Sequence, residues 1–223
     1  DMTHARQLPV TVHQALSAYE TDAIEIVNRT LQELTPGPEQ LEAWFLAGCE
    51  HFKKATNKSH TKAAALWRQA AEFGHVESQF NLADCYFEGE GVDQNFALAV
   101  YWWQKAAELE DADAENALGQ CYWTGIGVKQ DALVARDWWE RASQQNQPEA
   151  LYRLGCWFLS MDDSPEGPDH TLNCWKSAAE FGNPEAQFEY AMALIDGIAS
   201  DKDSKSSAAI PGRSGILDKA TTA

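Results

Sequence analysis

Apolar positions along this chain fall at helical spacing. Ala99, Trp102, Trp103, Ala106 and Ala107 recur at steps of three and four, which draws one apolar stripe along a helix, here type A. Ala114, Ala117, Leu118, Cys121 and Tyr122 draw the stripe of a second helix, type B. No segment alternates with period two, so an all-α fold is expected.

The two stripes repeat. Trp67, Trp103, Trp139 and Trp175 are each 36 residues apart, as are Ala70, Ala106, Ala142 and Ala178, and a fixed period of this length marks a repeat architecture. A large ring facing paired alanines is how closely spaced helices interlock, so Trp67, Trp103, Trp139, Trp175, Ala106 and Ala107 are assigned to the core. Trp102 with Trp138 is the one pair to check for an exposed aromatic cage.

Four clear units are expected at about 61–96, 97–132, 133–168 and 169–197. A degenerate unit at 24–60 comes before them, its Leu46, Ala47 and Cys49 matching Leu82, Ala83 and Cys85. Val12, Leu16 and Tyr19 suggest a capping helix within residues 1–23, as terminal repeats are atypical. From Ile198 to Ala223 the pattern gives way to Ser, Ala, Gly and Lys, so 198–223 reads as a disordered tail.

Helix ends are marked too. Ser59, Asn95 and Asp131 stand just before the type A helices as N-caps. Glu77, Asp113, Glu149 and Glu185 sit in the first turn of the type B helices, at the positive end of the helix dipole. "GEGV" at Gly89 to Val92 and "GIGV" at Gly125 to Val128, with Gly125 and Gly127, supply residues that tolerate positive φ where a helix ends.

The sequence A-x-x-W-W-x-x-A-A-E, followed by a helix that ends in Y-x-x-G-x-G-V, resembles the Sel-one-like repeat, a relative of the tetratricopeptide repeat. The likeness covers about Thr61 to Gly197. Departures are Leu66 and Cys174 in place of the first Trp, and "SMDDSPEGPD", Ser160 to Asp169, in place of a glycine turn. The resemblance implies a right-handed α-solenoid of antiparallel helix pairs that serves as a surface for other proteins, with type A helices lining the concave side. It also implies a role without catalysis, in bacterial adaptors or host-interaction factors.

Charge narrows the partners. With Lys+Arg 17 against Asp+Glu 34 the net charge is -17, so a phosphate backbone would be repelled and nucleic acid is not expected. No apolar run is long enough to span a bilayer. The five cysteines form no C-x-x-C pair, and the six histidines form no metal spacing. No catalytic residue, metal or cofactor is therefore assigned, and the loop acids Asp162, Asp163, Glu166 and Asp169 read as solvated. A monomer in a reducing cytoplasm is expected, or a periplasmic or secreted protein if a leader has been removed.

The two helix types differ in charge. The type A windows, Lys62 to Glu72 and its copies, carry six bases and five acids; the type B windows, Val76 to Glu88 and its copies, carry nine acids and one base, Arg153. Placed on the concave side, Arg68, Gln69, Tyr101, Lys105, Arg141, Asn173 and Lys176 make the candidate groove, one that suits an acidic peptide or terminal carboxylate. The alternative is an immunity or inhibitor protein that masks a basic partner with its acidic type B helices. A cell-wall or amide hydrolase is a third reading, with no nucleophile and base to support it.

Overall fold

The computed structural model describes residues 35–161 and 167–203. The expected capping helix, the opening of the degenerate unit, the loop acids Asp162, Asp163 and Glu166, and the chain beyond Asp203 lie outside these residues. Among the described residues there are nine helices and no strand: α1 (Pro38–Phe52), α2 (Asn57–Glu72), α3 (Val76–Glu88), α4 (Phe96–Ala107), α5 (Ala112–Thr124), α6 (Ala132–Gln144), α7 (Pro148–Met161), α8 (Gly167–Glu180) and α9 (Pro184–Asp203). Odd-numbered helices are type B and even-numbered helices type A. The helix α9 continues to Asp203, past Ile198 where the sequence pattern fades.

Each of α1, α3, α5 and α7 packs most extensively on the type A helix that follows it. The packing unit is therefore a B–A hairpin, so the frame begins at Val76, Ala112 and Pro148 rather than at the type A helices. The core is the row of tryptophans: Trp67, Trp103, Trp139 and Trp175 are 3%, 4%, 2% and 1% exposed. A Cβ on Gly119 would lie 2.4 Å from the indole nitrogen of Trp139, and one on Gly155 would lie 2.5 Å from Cδ1 of Trp175. Glycine opens the notch in the B helix that the A-helix ring enters. In the α3–α4 hairpin the matching residue is Ala83, and there the Trp103 Nε1 donates to Asp84 Oδ1 at 3.2 Å.

Asn95 and Asp131 cap α4 and α6 as the sequence predicts. At α2 the cap is Thr56, which accepts from the Ser59 N–H, because the helix starts at Asn57, ahead of the position expected from the repeat. Gly89 and Gly125 close α3 and α5 in the left-handed region, at φ 76° and 77°. Gly91, also at positive φ, passes so close to the His60 carbonyl that a Cβ would sit 2.2 Å from its carbon.

A second repeating device joins the units. His75, Asp111, Gln147 and Asn183 stand at one repeat position before successive type B helices, and each accepts from a backbone N–H three residues on. The far end of the side chain then reaches back to an acid of the preceding type B helix. His75 Nε2 lies 3.3 Å from Glu42, Gln147 Nε2 donates to Asp113 at 3.2 Å, and Asn183 Nδ2 donates to Glu149 at 2.8 Å. Asp111 has no donor to offer: burial raises its carboxyl above the ordinary value, and the charges of Asp113 and Glu77 push it the same way.

Candidate functional site

A cavity of about 620 Å³ opens on the type B layer. Its walls come from four successive type B helices, α1, α3, α5 and α7, with the indoles of Trp67 and Trp103 showing from behind. The helices α5 and α7 also touch each other past α6. These features make the type B helices the inner layer and place the groove on them, which corrects the expectation that type A helices line the concave side.

The type A candidates consequently stand apart from the cavity. Arg68 Nη2 donates to the Tyr86 hydroxyl at 2.8 Å. The Arg141 guanidinium lies 2.8 Å from Glu115, donates to the Ala107 carbonyl and covers the Trp138 ring at 4.6 Å. Lys105 pairs with Glu108 at 2.7 Å, and Lys176 lies 4.0 Å from Glu180. Gln69, Tyr101 and Asn173 are exposed on the same layer. Several of these cations are committed to local carboxylates, and the structure does not gather the seven residues into one groove. The candidate cage is filled as well, since Arg141 lies over Trp138 and Trp102 packs on the core against Tyr101.

Glu115 explains the position of Arg141. This carboxylate is 2% exposed, and burial raises its pKa while Arg141 and Gln145 oppose the shift. The pair is a structural bond between α5 and α6 rather than a free cation on a surface.

Inside the groove carboxylates outnumber bases, three to two. Asp84, Glu88 and Glu90 line it together with Asn81, Asn116 and Gln120. The two bases in the lining are already held: Lys53 by Glu50 at 2.8 Å, and Arg153 by Glu149 at 2.8 Å. Burial pushes the Asp84 carboxyl up to about 7, against the hydrogen bond from Trp103. Burial also pushes the Cys85 and Cys121 thiols up to about 12, which holds them protonated and unreactive. Sequence reasoning missed Asp84 as a groove residue. The available clue was an acid in a slot that holds Gln120, Cys156 and Met192 elsewhere, flanked by the apolar Ala83 and Cys85.

The fold defines a class: an α-solenoid of stacked helix hairpins, here with a cavity on its inner layer. The Sel1 repeat family matches residues 54–75, 76–111, 112–147, 148–183 and 184–209, so the chain belongs to the Sel1 repeat proteins. The four matched units from residue 76 onward begin at type B helices, as the hairpin packing does. A protective antigen of uropathogenic Escherichia coli with an SLR fold is similar at 27% identity and TM-score 0.62, over 69% of this chain and 33% of that one. This chain thus spans about a third of that protein. A Sel1 repeat protein from Oxalobacter formigenes is similar at 26% identity and TM-score 0.65, over 74% of this chain and 69% of that one. No curated protein matches the chain. Sel1 repeat proteins generally act as protein–protein interaction modules, and typically as scaffolds rather than enzymes. None of the described helices is long and apolar enough to cross a membrane.

Proposed function

We propose that this protein is a non-enzymatic interaction module that holds a segment of a partner protein in the groove of α1, α3, α5 and α7. The observation that carries the reading is the cavity of about 620 Å³, continuous across four helices and lined by polar side chains over an apolar floor. Protonated thiols in that floor argue for binding rather than nucleophilic chemistry. The acidic helices and the groove share one layer, so the groove reading and the masking of a basic partner converge on the same surface.

The test is affinity capture from a lysate of the source cell with Asn81→Trp, which fills the groove at a slot where Arg153 and Glu189 already place long side chains. A Lys105→Glu, Lys176→Glu variant probes the type A layer. A partner lost with Asn81→Trp and kept by the second variant is the expected result. The reverse pattern would return the site to the type A helices.

A further inference from the structure

The groove's carboxylates outnumber its bases, and the two bases in the lining, Lys53 and Arg153, are paired with Glu50 and Glu149 rather than with them. Asp84, Glu88 and Glu90 take part in no ion pair among the described residues. Asp84 accepts from one neutral donor, the Trp103 indole. In the same cavity the buried Asn116 Oδ1 has no donor at all. Unmet acceptors in a desolvated cleft favour a group with several N–H donors and a positive charge. The surrounding wall is apolar, with Phe52, Phe87 and the two buried thiols Cys85 and Cys121. An arginine or lysine matches both demands, with a methylene stem for the wall and a cationic head for the carboxylates.

We propose, building on the groove reading above, that the cavity receives an arginine or lysine side chain from a basic segment of the partner, its head group held by Asp84 and Asn116 with Glu88 at the rim. The charge state of Asp84 agrees with this. Burial first, then the like charges of Glu88, Asp113 and Asp111, hold its carboxyl near neutrality, and an arriving cation supplies the missing counter-charge.

The experiment uses the full chain, ¹⁵N-labelled, with acetylated Ala-Arg-Ala and Ala-Lys-Ala amides as probes and the Ala-citrulline-Ala amide as the neutral isostere of the first. The reporter is the Trp103 indole N–H resonance, assigned with Trp103→Phe. Expected is a saturable shift with both basic peptides, at least about tenfold weaker affinity for the citrulline peptide, and a loss of about tenfold or more in Asp84→Asn. Asp84→Asn keeps an acceptor for the indole, and Glu88→Gln, at an exposed rim position, provides a second variant that should weaken binding several-fold even if the first fails to fold. Glu72→Gln, on the type A layer, should leave affinity unchanged. Equal shifts from the arginine and citrulline peptides, or equal affinity in wild type and Glu88→Gln, would overturn the proposal. If Asn81→Trp abolishes partner capture while the peptides leave Trp103 unmoved, the groove reading stands and the basic-segment proposal falls. If Asn81→Trp leaves capture intact, the groove reading itself falls.

Discussion

At the scale of single residues, burial holds the carboxyls of Asp84 and Glu115 above their ordinary range. Asp84 has a folded-state pKa of about 7, above the ordinary carboxylate value of about 4, so the native state binds more protons than the unfolded chain in between. Stability therefore falls as pH rises across that window. Asp84→Asn should raise the denaturation midpoint at pH 8, with the gain shrinking as pH drops through 7 and vanishing near about 4, read by urea unfolding at each pH. Glu115 is the opposite case, a buried acid that keeps its partner. Arg141→Ala should destabilise by about 1–3 kcal/mol, because it strands a buried charge-assisted hydrogen bond. The half-exposed guanidinium keeps this below the roughly 3–5 kcal/mol of fully buried pairs. Glu115→Gln in the Arg141→Ala background should recover part of the loss. The tryptophan core was legible from Trp67, Trp103, Trp139 and Trp175, since burial follows the helical stripe. The pairing of Arg141 was not, because Glu115 lies 26 residues away in sequence and only the stacked hairpins bring the two together.

At the scale of elements, helix type and period were readable because both stripes are amphipathic and the glycine turns punctuate them. Which layer faces inward was not. Types A and B each bury one stripe, and local pattern does not report the direction in which stacked hairpins curl. The notches at Gly119 and Gly155 fix the B–A hairpin as the packing unit, and they are visible only once the Trp139 and Trp175 rings are seen to fill them. The cap that reaches back to the preceding helix makes a sharper forecast. Asp111 keeps the cap but lacks the N–H donor that Gln147 and Asn183 supply. Asp111→Asn should therefore retain the cap, gain a bond toward Glu77 and remove a like-charge contact. A stabilisation of about 0.5–1 kcal/mol is expected at pH 7, fading in acid, as measured by thermal unfolding at the two pH values.

At the scale of the whole molecule, the stack has an interior and an end. The helix α9 has no following type A helix among the described residues, and Phe188, Met192, Leu194 and Ile195 are exposed on it. In a linear array each unit draws stability from its neighbours, so hydrogen exchange should be slowest in α3 to α6 and fastest in α9. Uniform protection along the chain would contradict this nearest-neighbour picture. The helical repeat was legible in the sequence but the groove was not, because Asp84, Asn116 and Arg153 become neighbours only through the stacking. The two joints differ in reach: the ring-in-notch contact lies within one hairpin, whereas the cap contact of His75, Gln147 and Asn183 runs back to the hairpin before. An in-frame duplication of residues 112–147 would therefore carry its own lock and arrive with a matching clasp, Gln147 meeting a copied Asp113. Each added copy would lengthen the inner layer by one step without redesigning either joint.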